Sequence, residues 1–318
     1  MKDLDRKATD LARAAWLYYI EEMTQSQVAD KLGVSRSTVI RLLQRARQSG
    51  LVSISLGVSS DTFETERDLE KLFGLKKVRI VPVADDGVMQ RRWLGQVAAE
   101  ALQEMARKDT IMAVSWGSTL RAMADSLQGE ASASGMKIVA LIGGLHNADH
   151  GTNPYEVADL VGQFFGAPAR ALYAPVYVRN AETAAGLMSD PGLSEALDMA
   201  RRASLVVFSV GSLTEEATML KLGYVNTTEK EFLERQGAVA DIACRWTDAQ
   251  GKPVQLPPTI HPIGISLGDL RHIPERLLVA GGMSKHRAIL ASLRGGYATH
   301  LIVDEEVATH LLEDGRAG

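Results

Sequence analysis

Along the first fifty positions, apolar residues recur at helical spacing and the pattern breaks twice. Leu11, Ala14, Ala15, Leu17 and Tyr18 mark one face of a helix over residues 10–22. Val28, Ala29 and Leu32 mark a second helix over Gln25–Leu32, and Val39, Leu42, Leu43 and Ala46 mark a third over Ser35–Gln48. Between these two stands Gly33, where a chain leaving a helix often needs positive φ, and Ser35 is a good N-cap for the helix that follows. This spacing predicts a helix-turn-helix with the first helix packed on it as a third. Trp16, Tyr18 and Tyr19 read as core aromatics of that first helix. LVSISL, residues 51–56, alternates and predicts a short strand or small wing, and residues 57–60 are small and polar like a linker.

Past residue 60 the period changes. Residues 62–73 form a charged helix carrying Phe63, Leu69, Leu72 and Phe73. Short apolar strands follow at 78–83, 110–115, 136–142, 169–174, 204–210, 277–280 and 299–303, with helices between or after them, including 87–106, 118–127 and 154–165. Such alternation predicts a mostly parallel sheet covered on both faces. Residues 239–246 and 254–256, on either side of DAQGKP, read as an antiparallel hairpin inserted in this body. The chain therefore divides into an α-helical head, residues 1–56, and an α/β body, residues 57–318.

Composition narrows the class. At 318 residues, 46% hydrophobic and 23% charged, the chain suits a two-domain globular protein. No apolar run approaches the roughly 20 residues that span a bilayer, and the charged start MKDLDRKATD lacks a signal-peptide core, so a cytoplasmic protein without membrane association is expected. A single cysteine, Cys244, excludes an internal disulfide and any CxxC metal site. The net charge of −4 hides an asymmetry: residues 1–56 hold nine Lys/Arg against six Asp/Glu, while the remainder holds 26 against 33. A basic head on an acidic body suits local contact with DNA.

The exposed side of the third helix supplies that contact. Arg36, Ser37, Thr38, Arg41, Gln44 and Arg45 project away from its apolar stripe, offering donors to phosphates and base edges. With Gln25 and Ser35 at the two helix starts, these make the candidate DNA-binding set Gln25, Ser35, Arg36, Ser37, Thr38, Arg41 and Arg45.

In the body, three strand ends are rich in glycine and small polar residues, and ligands of open α/β sheets gather at such ends. SWGSTL places Gly117, Ser118 and Thr119 at a helix N-terminus, where an anion is favoured. IGGLHN places Gly143 and Gly144 after the next strand. AGGMSKHRA places Lys285 beside a double glycine. One lysine and two helix starts suit a phosphate group. His146, Asp149 and His150 have metal-like spacing but no further ligand to complete a set, so no metal site is expected. No G-x-G-x-x-G, Walker motif or G-x-S-x-G elbow occurs, and no cofactor is implied.

Taken together, TQSQVADKLGVSRSTVIRLLQRARQSGLV, VSWGSTL, LIGGL, NPYEVA, GISLGDL and the long VAGGMSKHRAILASLRGGYATHLIVDEEVA make the chain resemble the SorC/DeoR-type sugar-binding transcriptional regulators of bacteria over nearly its whole length. The resemblance implies a body folded like sugar-phosphate isomerases (the NagB/RpiA/CoA-transferase-like fold, as in glucosamine-6-phosphate isomerase), used for sensing, with phosphorylated-sugar effectors and tetramers. It assigns Gly117, Ser118 and Thr119 to a phosphate loop, Gly143 and Gly144 to a second effector loop, Asp269 to sugar hydroxyls and Lys285 to the phosphate. Some members carry a Schiff-base lysine just before the paired glycines; Ile142 stands there in this chain, so noncovalent binding is expected.

The expected function is a homo-oligomeric regulator that binds double-stranded operator DNA under control of a small sugar, sugar phosphate or polyol. The alternative is a sugar-phosphate isomerase or deaminase with an accessory DNA-binding head. Asp241 and Asp269 are its candidate acid and base, but nothing near them in sequence completes a mechanism, so no catalytic residue is assigned.

Overall fold

The computed structural model describes residues 2–21, 23–48, 51–52, 60–129, 135–145 and 152–316. The chain divides into two compact units, one built on residues 1–57 and the other on residues 58–127 and 131–318.

The head comprises α1 (Lys2–Tyr19), α2 (Gln25–Leu32) and α3 (Arg36–Gln48). Thr24 and Gln27 cap α2 reciprocally, and Gly33 ends it in the left-handed conformation at φ 65°. The Val34 N–H closes back on the Ala29 carbonyl at 3.0 Å, which fixes the turn. Ala14, Leu17, Val28, Ala29, Val39 and Leu43 form the buried core. Trp16 differs from the sequence expectation: it lies on the outward side of α1 and is 58% exposed, whereas Tyr18 and Tyr19 are half-buried. Leu51 and Val52 are not in a strand, and the rest of the expected strand lies outside the described residues.

The body runs α4 (Ser60–Phe73), β1 (Lys77–Val81), α5 (Gly87–Met105), β2 (Ile111–Val114), α6 (Ser118–Ser126), β3 (Lys137–Ala140), α7 (Pro154–Phe165), β4 (Ala169–Arg170), β5 (Tyr177–Val178), α8 (Ala181–Ser189), α9 (Pro191–Arg201), β6 (Leu205–Phe208) and β7 (Val210–Ser212). It continues through α10 (Thr218–Lys221), α11 (Thr227–Arg235), β8 (Ala240–Ile242), β9 (Arg245–Thr247), β10 (His261–Pro262), α12 (Leu267–His272), β11 (Glu275–Val279), a 3-10 turn (Met283–Lys285), α13 (His286–Arg294), β12 (His300–Asp304) and α14 (Glu305–Arg316).

Seven strands form one sheet in the order β1-β12-β11-β6-β2-β3-β4, every pairing parallel. Apolar side chains alternate between its faces. Met112, Val114, Val207 and Val279 pack with α5, α6 and α7 on one side. Ala113, Val206, Phe208 and Leu278 pack with α4, α9, α13 and α14 on the other. The chain moves one way from β2 through β3 to β4 and the other way from β6 through β11 to β12. The junction of β2 and β6 is thus the switch point where ligands of such sheets collect.

The inserted antiparallel element differs from its expected form. It is a three-stranded sheet, β7-β8-β9, and the segment read as the first arm of a hairpin is itself folded in two at Ala243–Cys244. Both turn residues are left-handed, at φ 52° and 61°. Without a glycine there, the sequence hides the two-residue turn. Residues 254–256 form no strand, although the Val254 N–H still reaches the Trp246 carbonyl at 3.0 Å.

Candidate functional site

At the carboxyl ends of the adjacent strands β2, β6 and β11 lies a cavity of about 240 Å³. The loop after β2 brings Trp116, Gly117, Ser118 and Thr119 to it; the β6–β7 junction brings Ser209, Gly211, Ser212 and Thr214; the turn after β11 brings Ser284 and Lys285. Asp241 and Ala243 reach it from β8 and the turn beyond. The parallel sheet thus provides the floor, and the three-stranded sheet one wall.

Part of the lining of this cavity suits an anion. Helix α6 begins at Ser118, and Gly117 before it has no side chain with which to cap the first turn. Its opening N–H groups have no intrahelical acceptors and sit at the positive end of the helix dipole. Lys285 is half-buried, and burial lowers its amine to about 8, the Arg91 charge adding to the effect and Asp241 opposing it. Among the described residues no carboxylate lies within ion-pair distance of Lys285, and the Asp241 charge acts on it from farther away.

The same lining also holds groups that suit hydroxyls. Asp241 is 5% exposed, and burial raises its carboxyl to about 7 against the opposing Cys244 backbone N–H and the Lys285 charge. Its Oδ1 and the Ser209 hydroxyl are both buried without a hydrogen-bond partner in the protein. Native structures rarely leave such atoms unpaired, because the desolvation cost is then uncompensated.

Of the residues expected from the sequence, Gly117, Ser118, Thr119 and Lys285 meet in this cavity. Gly143, Gly144 and Asp269 do not line it. Gly143 is required by a close backbone approach: a Cβ there would stand 2.6 Å from the Ala174 carbonyl oxygen and 2.7 Å from that of Pro175. The Gly144 N–H donates to Ala174 at 2.8 Å, so the double glycine joins two segments of chain. Asp269 caps α12, accepting from the Ser266 N–H at 3.0 Å, and pairs with Arg201 at 3.4 Å. Burial alone would raise its carboxyl, but Ser266 and Arg201 outweigh that and hold it below the usual range. Asp241, weighed in the sequence only as an acid or base, and Ser209 are the residues that sequence reasoning did not place in a binding site. The one available signal was a lone carboxylate within the apolar run AVADIAC. The His146, Asp149 and His150 group lies outside the described residues, and among the described residues no cluster of three or more His, Cys, Asp or Glu could hold a metal ion.

In the head, Ser35, Arg36, Ser37, Arg41 and Arg45 are exposed on or beside α3, and Gln25 and Thr38 are half-buried. The Ser35 hydroxyl accepts from the Thr38 N–H at 3.2 Å, capping α3. Arg36 Nε donates to Gln25 Oε1 at 3.3 Å, and Arg41 to the Thr38 hydroxyl at 3.4 Å, so the candidate DNA-facing groups form one connected surface across both helices of the motif.

A helix-turn-helix head followed by an α/β body with a polar cavity at its strand ends defines a ligand-responsive DNA-binding protein. Comparison with known proteins names the kind. Residues 59–313 match the family model described as "Putative sugar-binding domain", and residues 6–55 match that of a homeodomain-like domain. The chain is 34% identical over 319 residues to the deoxyribonucleoside regulator of Bacillus subtilis, covering 98% of this chain and 100% of that one. It is 31% identical over 309 residues to the transcriptional regulator LsrR of Escherichia coli, covering 95% and 94%. The full-length sorbitol operon regulator SorC from Klebsiella pneumoniae has the same fold, with a TM-score of 0.74 over 97% of this chain and 99% of that one at 24% identity. The chain belongs to the SorC/DeoR-type family of sugar-binding transcriptional regulators. It is a carbohydrate-responsive DNA-binding regulator. Among the described residues no helix is long and apolar enough to cross a membrane.

Proposed function

We propose that the cavity beside α6 is the effector site and that its ligand is a small carbohydrate bearing an anionic group, such as a phosphorylated sugar. The observation that carries this reading is the meeting of two kinds of group in one cavity. Lys285 and the α6 N-terminus favour an anion, while the unpartnered Asp241 Oδ1 and Ser209 hydroxyl need partners that sugar hydroxyls supply. Binding is noncovalent, Ile142 standing where some relatives carry a lysine. Gly143, Gly144 and Asp269 contribute through the fold of the surrounding loops. The relatives' names mention a deoxyribonucleoside and a sorbitol operon.

At the other end of the chain, Arg36, Ser37, Thr38, Arg41 and Arg45, with Gln25 and Ser35, contact the operator. The protein acts in the cytoplasm as a homotetramer: one recognition helix reads only a short half-site, and tight specific binding needs symmetric pairs. It senses its ligand and does not turn it over. A second reading, an isomerase-like activity, has one observation in its favour: Asp241 and Lys285 line the same cavity, with burial raising the one to about 7 and lowering the other to about 8.

Calorimetry on the full-length protein with a panel of sugars, sugar phosphates and polyols tests the reading. A phosphorylated sugar should bind to the wild type and bind at least about tenfold more weakly to both Lys285→Ala and Asp241→Asn. Normal binding by both variants would place the effector elsewhere, and turnover of any of these sugars would establish the enzymatic reading.

A further inference from the structure

Neither glycine of the AGGMSK turn after β11 lines the cavity, yet the turn carries Lys285 into it. What both glycines meet is Asp304, the last residue of β12, which is 1% exposed. A Cβ on Gly281 would overlap the Asp304 carboxylate and stand 2.8 Å from Leu94 Cδ1. Gly282 is left-handed, at φ 88°, and its N–H donates to Asp304 Oδ2 at 2.6 Å. The Gly282 carbonyl then accepts from the Lys285 N–H at 2.9 Å, which closes the 3-10 turn. One buried oxygen thus fixes the backbone three residues before the amine-bearing side chain.

The other oxygen of the same carboxylate, Oδ1, accepts from the Val307 N–H at 3.0 Å and caps the first turn of α14. That helix is itself held fast. Val307, Ala308 and Leu311 are buried, a Cβ on Gly315 would stand 2.9 Å from Phe73 Cζ of α4, and Arg316 pairs with Asp68 of α4 at 2.8 Å. Asp304 is therefore a strut between a rigid helix and a turn built of glycine. A lysine is a point charge on a flexible stem, and ordering it at the moment of binding costs affinity. A turn already fixed at its base lowers that cost.

We propose that Asp304 is the positioning residue of the effector site: its carboxylate holds the Met283–Lys285 turn against the start of α14, so that the Lys285 amine stands in the cavity before any ligand arrives. This rests on the reading of the cavity given above and adds to it the group that prepares its cation. Aspartate suits the task because it offers one oxygen to each N–H, whereas asparagine has a single carbonyl oxygen to serve both.

To test this, the lysines of the full-length protein are reductively methylated with isotope-labelled methyl groups, and the Lys285 signal is identified by its absence from Lys285→Ala. Burial lowers the wild-type amine to about 8, so its signal should titrate below those of the surface lysines. In Asp304→Asn the side chain can still cap α14, the Gly282 contact is lost, and the Lys285 midpoint should rise by about 1 pH unit or more toward the ordinary lysine range. Removal of a negative charge alone would move it the other way. Arg91 and Asp241, the charges that act on Lys285, are unchanged in this variant. By calorimetry, Asp304→Asn should bind the tightest sugar phosphate of the panel about tenfold more weakly than wild type. It should cause no further loss when combined with Lys285→Ala, because a residue acting through another couples fully to it. A midpoint that stays or falls, or an equal loss with and without Lys285, would overturn the proposal. If Asp304→Asn does not fold, Gly281→Ala decides in the same way, since its methyl pushes the turn off the carboxylate while Asp304 still caps α14. A wild type that binds no sugar phosphate removes the effector reading alone, and the Lys285 titration still decides the role of Asp304.

Discussion

Two ionisable side chains set the chemistry of the cavity, and both are held in states that oppose stability near neutral pH. Asp241 has its folded value raised to about 7. Between its unfolded value, near 4, and 7 the folded protein binds more protons than the unfolded chain, so this group's contribution to stability falls as pH rises through that window. Lys285 has its folded value lowered to about 8. Between 8 and its unfolded value above 10 the unfolded chain binds more protons, so stability regains that contribution as pH rises. Asp241→Asn should therefore stabilise the ligand-free protein at pH 8 by about 1–3 kcal/mol, of the size expected for relieving a buried, poorly paired charge, and should flatten the melting temperature between pH 4 and 7. Thermal melts across pH check this, and a destabilised variant at pH 8 would contradict it. A site that gives up stability in this way to hold polar groups ready is expected where a ligand later satisfies them.

Among the elements, the loops after β2 and β3 look alike in sequence and differ in role. Both follow parallel strands and both contain glycine, yet Gly117 opens a helix onto the cavity and Gly143 joins two segments of backbone. Gly143→Ala should cost about 1–3 kcal/mol through the clash with Ala174 and Pro175. Its folded fraction should bind effector with unchanged affinity; a normal melting temperature with lost effector binding would reverse the assignment. In the head, Arg36→Ala should weaken operator binding by about 1–3 kcal/mol if the side chain reads a base edge. Arg41→Ala should instead reduce the slope of log affinity against log salt by about 1 if it neutralises one phosphate. Titrations of both variants at several salt concentrations separate the two roles, and unchanged affinity in both would mean that α3 does not face the DNA.

For the whole molecule, sensing and DNA contact reside in separate units of opposite charge. A phosphorylated effector at tens of times its dissociation constant should raise the apparent stability of the full-length protein by about 2 kcal/mol, following RT ln(1 + [L]/Kd). Lys285→Ala should lose most of that rise and keep wild-type operator affinity in the absence of effector. Loss of operator affinity in this variant would show that its effect is not confined to the cavity.

The sequence by itself determined the parts whose cause is local. Apolar periodicity, the left-handed Gly33 and the Ser35 cap made the helix-turn-helix legible, because each acts within one or two turns of chain. Runs of buried strand residues alternating with amphipathic helices declared the parallel sheet, and the start of α6 declared one anion-favouring corner. The tertiary structure alone decided which strand ends are neighbours. Ser209 and Asp241 meet Lys285 only because β6 lies between β2 and β11 and the chain turns from there into a second sheet. The folding of residues 239–246 at Ala243–Cys244 escaped the sequence because non-glycine residues hold the left-handed positions there, supported by bonds such as that from the Tyr177 hydroxyl to the Cys244 carbonyl at 2.9 Å. Asp269 and the Gly143–Gly144 pair show the same limit: in sequence a cap, or a glycine at a close approach, uses the residue types a binding loop uses. Only the position of the rest of the chain tells one from the other.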